Sequence, residues 1–178
     1  MRTIRTGWWL LLVGLALSGC EMLPTGGPTQ PAEVEEAGEG TPAGAVERQV
    51  AFPAEEYAKL DKHGSAVVKG RLRYASSQYG MVAGKGETVS IAPATRYSAE
   101  AAEVALAGKR IEPADPRARE YTHYVKTDAN GYFEATGIPA GVFYVAGSVR
   151  LPDGSRSPLI LKQIEVGAGQ TREVDLRR

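Results

Sequence analysis

From residue 65 onward apolar side chains tend to fall at every second position, beginning with Val68, Leu72 and Tyr74 set against Lys69, Arg71 and Arg73. That period belongs to an extended strand with one face on a core and the other in water. Val89 and Ile91, between Thr88, Ser90 and Ala92, predict a second strand that ends near Pro93, because proline cannot donate to a ladder. Further strands are predicted over 121–127, 132–136, 142–149, 158–166 and 171–176. The links between the later strands carry turn chemistry: Asp128-Ala129-Asn130-Gly131, Ile138-Pro139-Ala140-Gly141, Pro152-Asp153-Gly154 and Gly167-Ala168-Gly169. Asn-Gly in particular tolerates the positive backbone dihedrals of tight hairpins. Two segments depart from this rhythm. Residues 52–60 place Pro53, Glu55 and Glu56 where a first helical turn favours them, and 98–107 form an alanine-rich stretch with Ser98 as N-cap and Gly108 beyond its end. The pattern as a whole predicts an all-β, seven-stranded antiparallel Greek-key sandwich with a short helical insertion.

The first fifty residues follow other rules. Arg2 and Arg5 precede an uncharged run from Thr6 to Cys20, shorter than the ~20 apolar residues of a membrane-spanning helix. This is the pattern of an export signal. Leu17-Ser18-Gly19-Cys20 resembles the bacterial lipobox. The resemblance implies cleavage after residue 19, a diacylglycerol thioether on Cys20 and acylation of the new amine by a chain such as palmitate. Only a thiolate is nucleophilic enough to take the lipid, and several chains together anchor stably where one does not. Glu21 follows, and the lack of aspartate there favours the outer membrane over inner-membrane retention. Residues 20–50 then carry Pro24, Pro28, Pro31, Pro42, five glycines and a run of glutamates, with little apolar surface to offset the entropy of ordering. About thirty flexible residues reach roughly 30 Å, enough to hold a domain clear of lipid headgroups. The predicted organisation is thus a signal peptide over 1–19, a lipidated cysteine and tether over 20–50, and a sandwich domain over 51–178.

Composition removes several functions. The 178 residues carry 21 basic and 21 acidic side chains. Loss of residues 1–19 takes away Arg2 and Arg5 and leaves 19 basic against 21 acidic groups, so the basic footprint of a nucleic-acid partner is missing. One cysteine cannot form an internal disulfide, and two histidines cannot build the usual zinc sites unaided. Gly84-Lys85-Gly86 lacks the first-glycine spacing and following Ser or Thr of a phosphate loop, and the stretch 80–86 is read as a flexible hairpin loop. Asp128 and Asn130 resemble the start of a calcium loop that is cut short, with no glutamate at its far end. No Gly-x-Ser-x-Gly elbow is present. No metal and no cofactor is expected.

The segment 127–145, with Thr127-Asp128-Ala129-Asn130-Gly131-Tyr132-Phe133 and Gly137-Ile138-Pro139-Ala140-Gly141-Val142-Phe143-Tyr144-Val145, resembles the carboxypeptidase regulatory-like domain of the prealbumin, or transthyretin-like, sandwich. Ile164-Glu165-Val166 and Val174-Asp175-Leu176 extend the likeness over about 64–178. It implies that Phe133, Ile138, Phe143 and Val145 face the core. Residues 94–120 depart from it as an insertion. Two enzyme families built on this sandwich fail to match. Intradiol dioxygenases bind iron through two tyrosines and two histidines placed downstream of them, and no histidine follows His123. Hydroxyisourate hydrolases end in Tyr-Arg-Gly-Ser, whereas this chain ends Asp175-Leu176-Arg177-Arg178.

The leading expectation is a non-enzymatic, lipid-anchored envelope protein that presents a sandwich for protein–protein interaction or envelope assembly. The alternative is a glycan- or small-ligand-binding module at the envelope, with Tyr97, Tyr121 and Tyr124 as platforms. Arg96 and His123 join these tyrosines as candidate binding residues, and Cys20 is the lipid attachment site. The insertion over 95–119 serves either as a recognition element or as a cap on the core. If Cys20 carries the anchor, Cys20→Ser moves the protein from the membrane fraction to the soluble one in detergent-free extraction; retention in the membrane would refute the lipid assignment.

Overall fold

The computed structural model describes residues 44–178, so the signal peptide, Cys20 and most of the tether lie outside the described residues. Among the described residues eight strands are present: β1 (Ala66–Ser76), β2 (Gly80–Ala83), β3 (Thr88–Pro93), β4 (His123–Lys126), β5 (Tyr132–Ile138), β6 (Gly141–Gly147), β7 (Ile160–Val166) and β8 (Thr171–Arg177). Three helices accompany them: α1 (Ala54–Tyr57), α2 (Arg96–Leu106) and α3 (Pro116–Arg119). The strands form two sheets packed face to face, so the sandwich inferred from alternation is the fold.

Strand β1 organises the first sheet. Strand β8 pairs along one edge, parallel, from Val67 with Thr171 to Arg73 with Arg177. Strands β5 and β2 share the other edge, β5 against Ala66 to Arg71 and β2 against Arg73 to Ser76, both antiparallel. Their junction falls at Leu72, whose N–H donates to the Gly131 carbonyl and whose carbonyl accepts from the Gly84 N–H. Gly131 holds φ at +84°, and a Cβ there would sit 2.5 Å from the Leu72 carbonyl oxygen, so both the turn and the junction require glycine. The second sheet has the order β4-β3-β6-β7, antiparallel throughout.

Two details differ from the sequence expectation. The eighth strand is β2, inside the stretch read as a loop. Ser76 Oγ accepts from the N–H groups of Gln78 and Tyr79, closing a tight turn that returns the chain onto β1, and only residues 84–87 remain as a link to β3. The sheets are also not wholly antiparallel. Strand β7 lies in the second sheet, and the turn after it, closed by the Gln170 N–H on the Gly167 carbonyl, sends β8 into the first sheet in the direction of β1.

Between the sheets Val68, Leu72, Val89, Ile91, Ile138, Val145 and Leu176 are fully buried, with Phe133 and Phe143 nearly so. The residues assigned inward by the family resemblance therefore do face the core. Leu72 sits at the centre, where a Cβ on Gly84 or Gly147 would come within 2.6 or 3.1 Å of its side chain. No small side chain can relax into that space without moving backbone. Leu72→Ala is therefore expected to cost about 2–5 kcal/mol, as a residual cavity adds to the lost transfer energy. Chemical denaturation should show an unchanged slope and a lower midpoint; a loss below about 1 kcal/mol would mean that the sheets are not fixed at this junction.

Candidate functional site

Along the second sheet, alternate side chains point away from the core. Ser90 and Ala92 on β3, Tyr124 on β4, Tyr144 and Ala146 on β6 and Leu161 on β7 form this outer face, with Ser90 opposite both Tyr124 and Ala146 in the ladder. Most of these side chains are small or apolar, so the face cannot simply stand in water. The insertion lies over it. Helix α2 turns Tyr97, Ala101 and Ala105, spaced four apart, and Ser98 and Ala102 toward the sheet.

The helix begins at Arg96 because Thr95 and Ser98 cap each other. Thr95 Oγ1 accepts from the Ser98 N–H, Ser98 Oγ accepts from the Thr95 N–H, and Ser98 Oγ also donates to the Pro93 carbonyl at 2.6 Å. This is a serine-based capping box. Ser98 is thus the third helical residue rather than the N-cap, a correction that takes Arg96 and Tyr97 into the helix. Gly108, at φ +74°, follows the end as expected. The shorter α3 is capped by Asp115, whose carboxylate accepts from the Arg117 N–H and pairs with its guanidinium, which holds the Asp115 carboxyl below its ordinary range.

A second small core fastens the insertion. Tyr57, Tyr97 and Ala118 are buried together, with Val50, Phe52, Leu60, Ala114 and Tyr121 packed around them. The rings meet edge to face, Tyr57 lying 5.2 Å from Tyr121 and 6.4 Å from Tyr97. Tyr57 shares a hydrogen bond with Thr95 at 3.1 Å, and burial raises its phenol above the ordinary value of 10.0, so it remains a neutral hydroxyl. The segment before α1 is part of the clamp. Val46 and Ile111 form a parallel bridge, Arg48 stacks 4.1 Å over the Tyr97 ring, and its N–H donates to Glu112. Val46 and Arg48, inside the stretch assigned to the tether, are therefore fastened to the insertion. The insertion caps one sheet's outer face and does not plug an end of the sandwich.

Because α2 presents alanines, the cover is imperfect. A groove of about 350 Å³ remains between the helix and the sheet, lined by Ala101, Ala105, Tyr124, Tyr144, Ala146 and Leu161 among others. Tyr124 is 59% exposed at its edge. An apolar concavity of this size with a few polar tips is the form of a small-molecule site.

The five candidate residues separate accordingly. Tyr124 lines the groove and is available to a ligand. Tyr97 also borders it, but it is 4% exposed and its hydroxyl accepts from the Asp115 N–H at 2.8 Å, so it is a structural ring and not a platform. Tyr121 packs in the clamp, 5.0 Å beneath the Lys62 ammonium, half-buried and outside this groove. Arg96 is exposed on the first turn of α2 and does not line the groove. His123 pairs with Ile91 in the ladder and so points inward at the sheet's edge, 6.1 Å from His63. Tyr144, outside the five candidates, also lines the groove, and its place between inward Phe143 and Val145 marks it as outward. Among the described residues no three His, Cys, Asp or Glu side chains gather to hold a metal ion.

These features define a β-sandwich domain with a helical cover over one sheet. Neither family models nor curated proteins give a match to the chain. Among solved structures, PA1324 of Pseudomonas aeruginosa, provisionally named a carbohydrate binding protein, is 30% identical with a TM-score of 0.60, over 72% of this chain and 99% of its own. The chain belongs to the family of PA1324. Two others are more remote. The major pilin subunit BcpA of Bacillus cereus has 15% identity and a TM-score of 0.36, over 64% of this chain and 29% of its own. A Bacteroides uniformis protein, also provisionally named for carbohydrate binding, has 8% identity and a TM-score of 0.33, over 64% and 41%.

His123 gives the domain's stability a pH dependence. Its Nε2 is buried without a hydrogen-bond partner, and burial first, then the neighbouring His63, lowers its pKa from 6.5, opposed by a hydrogen bond to the Lys62 backbone. The unfolded chain binds the proton better, so the stability is complete above about 6.5 and is lost as pH falls from there toward the folded value. The melting temperature should therefore fall between pH 7 and pH 5, and His123→Gln should flatten that slope. An equal slope in the variant would assign the effect to other groups.

Proposed function

We propose that the protein is a non-enzymatic, lipid-anchored carbohydrate-binding module of the bacterial cell envelope, tethered through Cys20 and binding saccharide in the groove under α2. The observation that carries this reading is the exposed Tyr124 ring at the rim of an apolar groove that also holds Tyr144. The C–H face of a sugar ring stacks on an aromatic face, and the phenol hydroxyl supplies a donor and acceptor for sugar hydroxyls. The provisional naming of PA1324 for carbohydrate binding supports the same reading. The likeness of 64–178 to carboxypeptidase regulatory-like domains suits a non-catalytic accessory role. Presentation of the sandwich to a protein partner has no comparably specific feature in its favour.

The test is an oligosaccharide array probed with the purified full chain, followed by calorimetry on the best ligand. Tyr124→Ala should weaken binding at least tenfold, about 1.4 kcal/mol, while the melting temperature stays within a degree or two because the ring is mostly in water. Tyr124→Trp should retain binding. Equal affinity of Tyr124→Ala and the unaltered chain, or no ligand on the array, would refute the groove as a sugar site.

A further inference from the structure

A second cleft lies at one end of the sandwich, where the β2–β3 link, the end of β4 and residues 150–156 converge. It holds about 580 Å³ and is lined by Lys85, Lys126, Arg150 and Arg156 with a single carboxylate, Glu87. Glu87 is 9% exposed, and both its oxygens are engaged. Oε1 accepts from the Arg150 backbone N–H at 3.0 Å, and Oε2 accepts from Arg156 Nη2 at 2.8 Å. Arg156 also donates to Ser148 Oγ, and Thr127 Oγ1 accepts from the Glu87 N–H while donating to the Gly84 carbonyl. The scaffold under the cations is thus fixed by buried polar bonds.

Among the described residues the side chains of Lys85, Lys126 and Arg150 form no ion pair, and the cleft gathers four cations against one carboxylate on a chain whose charges balance overall. Cations drawn together on three separate segments repel one another, and an anion among them removes that repulsion and adds charge-assisted hydrogen bonds. A planar guanidinium grips two oxygens at once, and the two ammonium groups act as point charges on either side. The open shape suits an extended ligand better than a lone ion. Gly84-Lys85-Gly86, which lacks the spacing of a phosphate loop and is followed by a strand and not a helix, acquires a use here: it carries Lys85 to the rim.

We propose that this cleft binds the acidic groups, carboxylate or phosphate, of an anionic saccharide, at a site distinct from the groove under α2. The saccharide part rests on the carbohydrate reading, whereas the anion part stands on the charges alone. Oligogalacturonate and inorganic phosphate, each titrated into the full chain at low ionic strength and followed by amide shifts, separate the two. Oligogalacturonate should move signals from residues 84–88, 126–127 and 150–156, with affinity falling as salt is raised. The exposed pair Lys126→Glu/Arg150→Glu should weaken it at least tenfold, and Lys126→Gln/Arg150→Gln, which adds no like charge, should weaken it less. Tyr124→Ala should leave it unchanged, so the two sites fail independently. Binding of phosphate without oligogalacturonate would overturn the saccharide assignment. No cleft shifts with either probe, or unaltered binding by both double variants, would overturn the site.

Discussion

A sheet that is apolar on both faces has to be covered twice. In the second sheet the inner residues Val89, Ile91, Phe143, Val145 and Ile164 meet the first sheet, but Ala92, Tyr144, Ala146 and Leu161 point the other way. Left bare, that outer face would be a continuous apolar patch. The insertion removes most of it from water. The alanines of α2 leave room beneath the helix, and the ring cluster of Phe52, Tyr57, Tyr97 and Tyr121 with Arg48 fastens it from the side. The groove follows from this arrangement: a narrow helix laid on a sheet, clamped on one flank, leaves space on the other.

The clamp also explains why a segment rich in polar and charged residues stays ordered. Carboxylates at Glu100 and Glu112 take the backbone N–H groups of Gln49 and Arg48, so the chain entering the domain is tied to the insertion before the first strand begins. Each such contact is modest in free energy. Together they join two segments far apart in sequence.

The strands were legible because a half-buried strand writes its two faces as alternation, and the insertion because its residues exceeded what a sandwich connection needs. What stayed hidden depended on contacts between distant residues. Strand β2 is four residues long and reads as loop until Ser76 closes its turn. The parallel course of β8 depends on which sheet receives the chain after Gly167–Gln170. The three tyrosines offered as platforms are alike in sequence, yet Tyr97 and Tyr121 pack in the clamp and Tyr124 is the most exposed of them, since it lies on the outward register of an edge strand. The cationic cleft was equally illegible: its members are spread from residue 85 to residue 156 and come together only in the fold.

The position of a bound sugar ring is the most direct test of this account. In a crystal structure of the full chain with its best-binding neutral oligosaccharide, the ring should stack on the Tyr124 face, between α2 and the outer side of β6. A sugar seated on the first sheet, or one whose binding displaces α2 from the sheet, would contradict it.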